Sequence, residues 1–318
     1  MDSDLTRREW LARTPAALGM GSAAGLVQPA HAAAPGPSPA EPFGYCLNTS
    51  TLSGQKRDLV EIVEIAAKAG YQALEPWIRE LDAYVKQGGN LKVLGQRLRD
   101  RGLSVESSID FFEWIVDDEE RRKKGLEAAR RSMDLVQQIG GKRIAAPPVG
   151  ATKQANFDLL KAAERYRALL ELGEKMGVVA ELELWGHSQT LGRLGEVTLV
   201  ALESGHPQAC LLLDVYHLYK GGSPLGGLRL LNGAALPVLH FNDYPADPPR
   251  SAITDAQRVY PGDGVAPLKS ILRDLRSIGF RGVLSLELFN RDYWKLDAMV
   301  VARTGLEKMR AVVQGSLG

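Results

Sequence analysis

Four short apolar runs in this chain end in side chains able to hold a proton or a metal ion. The first is Val178-Val179-Ala180-Glu181-Leu182-Glu183-Leu184, and the second is Leu211-Leu212-Leu213-Asp214. The third is Val238-Leu239-His240, and the fourth is Val283-Leu284-Ser285-Leu286-Glu287. A carboxylate ionised at the end of a buried strand is costly unless a partner compensates it. Two glutamates, an aspartate and an imidazole together suit one divalent metal ion. Glu181 has the same strand parity as Glu183 and points to the same side. Glu183 lies nearer the end of its run and is the expected ligand. Further polar side chains follow these runs closely. Asp214 opens a D-x-x-H pattern with His217, which is placed to hydrogen-bond a substrate or a metal ligand. Trp185 and His187 come directly after the Glu183 run. Arg258 precedes Pro261-Gly262-Asp263-Gly264, a turn-forming sequence, and a fixed guanidinium there would hold a substrate oxygen.

The elements that must position these residues alternate along the chain. Strand-like segments at 43–48, 73–75, 103–108, 143–146, 178–184, 209–214, 238–241 and 282–288 are separated by helix-like ones. The helices are expected at 58–69, 91–101, 118–139, 156–176, 191–203, 267–278 and 296–313, with a shorter helical piece before the seventh strand. A longer loop, 242–265, follows that strand. Eight strands alternating with about eight helices are the pattern of a single-domain α/β (β/α)8 TIM barrel. No G-x-G-x-x-G follows the first strand, so a doubly wound open sheet lacks support. In a barrel, the carboxyl ends of strands five to eight are adjacent staves. Glu183, Asp214, His240 and Glu287 are therefore expected to meet at one side of the mouth.

Composition bounds the partners. The chain has 318 residues, 45% of them apolar, and a net charge of +1 from 39 basic and 38 acidic residues. That balance gives no electrostatic footprint for nucleic acid. A small molecule is the expected partner, and a homo-oligomer is compatible with the composition. Cys46 and Cys210 fall on non-neighbouring strands and read as buried free thiols. The N-terminus has its own character. Thr6-Arg7-Arg8-Glu9-Trp10-Leu11 resembles a twin-arginine export motif, a mildly apolar segment follows, and Ala30-His31-Ala32 is an A-x-A cleavage pattern. We expect a signal peptide over 1–34, a linker over 35–42 and the barrel over 43–318. The mature protein would be periplasmic, or cytoplasmic if the signal is not used. No segment approaches membrane-spanning length, so no membrane span is expected in the mature form.

These motifs resemble the xylose isomerase-like TIM barrel superfamily, in particular its sugar phosphate isomerase/epimerase group. The resemblance runs from about Phe43 to Val313. It is carried by L-E-L at Glu183, D-V-Y-H at Asp214 to His217, H-F-N-D at His240, R-V-Y-P-G-D-G at Arg258 and S-L-E-L-F at Glu287. The resemblance implies one divalent ion, Mn²⁺, Co²⁺, Mg²⁺ or Zn²⁺, on Glu183, Asp214, His240 and Glu287. It also implies that Glu183 and Glu287 are the catalytic acid–base pair and that Arg258 holds substrate. The expected activity is metal-dependent isomerisation or epimerisation of a non-phosphorylated keto-sugar or related polyol ketone, by proton transfer through an enediolate. A dehydratase or lyase acting on a keto-inositol or 3-keto-glycoside starts with the same proton abstraction. A non-enzymatic sugar-binding barrel with a vestigial site is the third reading. The stretch between His240 and Arg258 is longer than in the short-loop epimerases and is expected to overhang the mouth. The multi-zinc endonucleases that share the barrel need more histidines than the four beyond the signal (His187, His206, His217 and His240).

Overall fold

The computed structural model describes residues 42–317, and the expected signal peptide lies outside them. Eight parallel strands alternate with helices. They are β1 (Gly44–Asn48), β2 (Ala73–Glu75), β3 (Ser104–Val105), β4 (Arg143–Ala146), β5 (Val179–Glu183), β6 (Leu211–Asp214), β7 (Val238–His240) and β8 (Val283–Leu286). Around the sheet they run β3-β2-β1-β8-β7-β6-β5-β4. The seam between β3 and β4 is bridged where the Ala145 N–H donates to the Ser108 carbonyl (2.9 Å). The expected (β/α)8 barrel is what the chain forms.

The connecting helices are α1 (Leu59–Ala69), α2 (Ile78–Lys86), α3 (Leu91–Asp100), α4 (Glu119–Gln138), α5 (Leu159–Met176), α6 (Leu194–Glu203), α7 (Val215–Lys220), α8 (Leu268–Ser277) and α9 (Ala298–Leu317). Their ends follow from local chemistry. Asp58 and Glu61 form a reciprocal capping box at the start of α1, and Gly70 ends it at φ 100°, a conformation that favours glycine. No described helix is long and apolar enough to cross a membrane.

Strand alternation separates two layers of side chains. Leu182, Leu213, Leu239 and Leu284 face the helices in the main core. Truncating such a side chain to Ala typically costs about 2–5 kcal/mol. The interior face has a small apolar floor of Ala145, Leu212 and Val238, packed with Trp77 and Ile109. Polar side chains lie above that floor. Register fixes their level: Asp214 pairs with His240, and His240 with Ser285. Glu287 is two residues beyond Ser285 and so shares its face. Both cysteines are buried and free, as expected.

Two expectations about elements change. The third strand was expected over 103–108, yet only Ser104–Val105 join the ladder. Beyond them the backbone turns toward the segment after β2, where Ile109 and Pro76 are hydrogen-bonded and Trp77 pairs with Ile109. Helix α2 had no counterpart in the sequence reading. Pro76 does stop β2, but Glu80 accepts the Trp77 N–H (3.1 Å) and starts a helix directly after it.

Candidate active site

Asp214 ends β6 and is also the N-cap of α7. Its Oδ1 accepts the His217 N–H (3.0 Å), so the D-x-x-H spacing is that of a helix start. Its Oδ2 remains for other partners: it accepts from Asn242 Nδ2 (3.0 Å) and from Arg258 Nη1 (2.8 Å). The same Arg258 nitrogen donates to Glu287 Oε2 (2.8 Å). His240 Nδ1 faces these two oxygens, at 3.5 Å from Asp214 Oδ2 and 3.1 Å from Glu287 Oε2.

One potential ligand atom each from Asp214, His240 and Glu287 lies within 4.8 Å of the others, and all three residues are buried. Ligand bonds of about 2.0–2.2 Å set neighbouring donor atoms roughly 3 Å apart, close to the spacings around His240 Nδ1. That nitrogen makes no directed hydrogen bond, which leaves it available to a metal once the imidazole is neutral. Two carboxylates and one imidazole therefore fit a divalent ion. Glu183, expected as the fourth ligand, lies outside this three-residue cluster. Its carboxyl is nonetheless buried, and Oε2 has no hydrogen-bond partner among the described residues.

Glu183, Trp185, His187, His217, Arg258 and Glu287 all line one cavity of about 430 Å³ at the barrel mouth. Arg258 is 1% exposed and bridges the carboxylates of Asp214 and Glu287 there. Its Nη2 lies 3.2 Å from His217 Nε2 and donates to Asp255, and its guanidinium lies 4.6 Å over the Tyr216 ring.

Electrostatics follow from this packing. Burial lifts the Glu183 carboxyl to about 8, with His240 opposing the rise and Glu287 adding to it. Burial alone would depress His240, but Glu287, Glu75 and Asp214 hold its imidazole well above the usual histidine range. Asp214, despite burial, is held well below the carboxylate range, chiefly by the Arg258 guanidinium. Burial and then Arg258 push His217 down to about 3, so it stays neutral. Glu181, the competitor of Glu183, is fully buried lower in the barrel with Arg143 Nε 3.8 Å away. It does not line the cavity.

Three residues that hold the site together have no role in the sequence reading: Glu75 enters it only as the end of the second strand, and Asn242 and Asp243 only within the H-F-N-D motif. Glu75 holds His240 Nε2 at 3.1 and 3.2 Å and accepts from Asn48 Nδ2 (2.9 Å) and Ser285 Oγ (2.6 Å). Its available signal was that β2, like β5 and β6, ends in an acid. Asn242 donates to Asp214 and accepts the Tyr216 N–H (3.0 Å). Asp243 anchors the long loop: its carboxylate accepts the N–H groups of Gly262 (3.0 Å), Gly264 (3.1 Å) and Ala266 (2.9 Å). A Cβ on Gly264 would sit 2.3 Å from Asp243 Oδ1, so the turn needs glycine there. Asp243 also pairs with Val259, which fixes the backbone beside Arg258.

A family model described as xylose isomerase-like TIM barrel matches residues 63–312. The chain belongs to this family. Among curated relatives, inosose isomerase of Bacillus velezensis is 28% identical over 276 residues, covering 84% of this chain and 96% of that protein. Fructoselysine 3-epimerase of Escherichia coli O157:H7 is 23% identical, covering 83% of this chain and 96% of that protein. The 3-dehydroshikimate dehydratase of Pseudomonas putida is 25% identical over 82% of this chain but only 40% of its own length. Among solved structures, an IOLI protein described with a binding zinc atom superposes with a TM-score of 0.80 at 23% identity, covering 87% of this chain and all of that one. That likeness is one of fold.

Proposed function

We propose that the chain is a divalent-metal-dependent isomerase or epimerase of a non-phosphorylated keto-sugar or polyol ketone. The observation that carries this reading is the pair Glu183 and Glu287, lining one cavity beside the cluster of Asp214, His240 and Glu287. The names of the curated relatives, an inosose isomerase and a sugar 3-epimerase, support the same reaction class.

A divalent ion held by Asp214, His240 and Glu287, with Glu183 completing the set, would supply polarisation of the substrate carbonyl. The chain's own residues supply the proton chemistry. One glutamate takes the proton from the carbon next to the carbonyl. The other returns a proton to the opposite face or to the neighbouring carbon. Positioned acid–base groups of this kind contribute about 10²–10⁴-fold. His217, neutral and beside Arg258, can donate or accept a hydrogen bond to a substrate hydroxyl. Trp185 and His187 form the cavity wall next to them. Manganese, cobalt, magnesium and zinc are each compatible with the oxygen and nitrogen donors.

A dehydratase or lyase reading shares the first step and then expels a β-oxygen. It is supported by the dehydroshikimate dehydratase among the relatives. The test is incubation of metal-loaded protein with ketoses, inososes and 3-keto-glycosides in D₂O. Exchange at the carbon next to the carbonyl with an isomeric product is expected, and a β-eliminated product would favour the lyase. Metal loading without exchange on any of these ketones would sink both readings. For localisation, the twin-arginine motif and A-x-A site support export to the periplasm; cell fractionation that finds only full-length protein in the cytoplasm would sink that reading.

A further inference from the structure

The mouth cavity has two unlike sides. Glu183, Glu287, His217, Asp255 and Arg258 make the polar side, while Trp77, Phe111, Trp185, Phe289 and Trp294, with Arg79 stacked 4.0 Å over Trp77, make the other. The aromatic rings form a connected arc. Trp77 meets Phe111 edge-on at 5.4 Å, Phe111 meets Trp185 at 5.2 Å, Trp185 meets His187 at 5.2 Å, and His187 meets His217 at 5.8 Å. The arc ends beside Arg258, which lies against His217. At its outer part Phe111 is 49% exposed although its neighbours Ile109 and Phe112 are buried. An exposed aromatic ring that continues the aromatic lining of a cavity offers a face for a ligand to cover.

The arc is also in register with the reacting groups. Trp77 Nε1 donates to Asn48 Oδ1 (2.9 Å), and Asn48 Nδ2 donates to Glu287 Oε1 (3.2 Å). One buried side chain thus fixes the aromatic wall against the proposed catalytic carboxylate. A free keto-sugar seated between Glu183 and Glu287 presents hydroxyls all round its ring, and the rim rings around Phe111 would stay in water.

We propose that the aromatic arc is a second subsite, which takes a ring with an apolar face joined to the keto-sugar. The substrate class is then a keto-sugar conjugate, either an aryl glycoside or a disaccharide, both of which offer a stacking face. This rests on the cavity being the substrate site of a keto-sugar enzyme. Its own test uses ligands that cannot react.

Calorimetric titration of the metal-loaded full chain with methyl β-glucoside, phenyl β-glucoside and cellobiose separates the possibilities. At least one ringed ligand should bind about tenfold or more tightly than the methyl glycoside, equivalent to about 1.4 kcal/mol. A gain for the phenyl compound alone assigns the subsite to aryl groups, and a gain for cellobiose alone assigns it to a second sugar. Phe111→Ala should shrink the gain about fivefold and Phe111→Tyr should keep it, because stacking needs the ring and not the phenylalanine itself. Equal binding of all three ligands, binding of none, or a gain undiminished in Phe111→Ala overturns the subsite. Deuterium exchange on the free ketones reports separately on the chemistry.

Discussion

Both carboxylate oxygens of Glu75 lie within hydrogen-bond distance of His240 Nε2, at 3.1 and 3.2 Å, and both residues are completely buried. In the neutral imidazole that a metal requires, this contact would keep the proton on Nε2 and leave Nδ1 facing Asp214 and Glu287. A carboxylate behind a ligating histidine fixes ring orientation and raises ligand basicity, and losing it typically costs about 10–100-fold in metal affinity. Glu75→Gln keeps the shape and removes the charge. We expect metal affinity, measured by chelator competition, to fall within that range while far-ultraviolet circular dichroism is unchanged. Wild-type affinity in the variant would show that Glu75 only fills space.

Glu183 and Glu287 should separate under the same substitution. Glu287 belongs to the three-residue cluster, whereas Glu183 stands outside it. Glu287→Gln is expected to lower metal affinity and deuterium exchange together. Glu183→Gln is expected to lower exchange by about 10²–10⁴-fold while affecting metal affinity less. Undiminished exchange in Glu183→Gln, read by mass spectrometry of the ketone, removes that residue from the acid–base pair.

Much of this site was legible because each functional strand breaks its apolar run with a polar residue at the carboxyl end. Asp214 after three leucines and Glu287 between two leucines are costly there without a partner, and the structure shows those partners. Glu75 was harder to read. Its strand has three residues and is followed by proline, and its partners lie far along the chain, His240 being 165 residues away. Non-local pairing of that kind leaves no periodic trace. The brevity of β3 has a similar origin, since residues after Val105 exchange their own ladder for contacts around Pro76 and Trp77. The long loop was legible as an overhang. Its fixation was not, because it depends on Asp243 and on Lys220 Nζ donating to the carbonyls of Arg250 (3.0 Å), Ser251 (3.0 Å) and Ile253 (2.8 Å).

Arg258 neutralises Asp214 and Glu287 through one nitrogen, and all three are buried. Removing one partner of a buried ion pair typically costs about 3–5 kcal/mol, because a charge is left uncompensated. A divalent ion on the same carboxylates would replace part of that compensation. Arg258→Met should therefore destabilise the metal-free protein strongly and the metal-loaded protein less. Thermal melts with and without metal check this. The rise in Tm on metal addition should be larger in the variant than in the wild type, and an equal rise would show that Arg258 and the ion act independently.

Glu181 gives a pH dependence that does not involve the cavity. Burial, opposed by Arg143, lifts its carboxyl from 4.5 to about 8. Between those two values the unfolded chain has released a proton that the folded chain still holds. Folding stability from this group therefore falls as pH rises from about 4.5 to about 8, then levels off. The full effect is on the order of a few kcal/mol. Glu181→Gln has no proton to release, so it escapes the loss. The Tm of the variant minus that of the wild type, followed in metal-free protein, should increase from about pH 5 to about pH 9, at roughly 2 °C for each kcal/mol. A difference that stays flat across that range would mean that the Glu181 carboxylate is already ionised in the fold and compensated by Arg143.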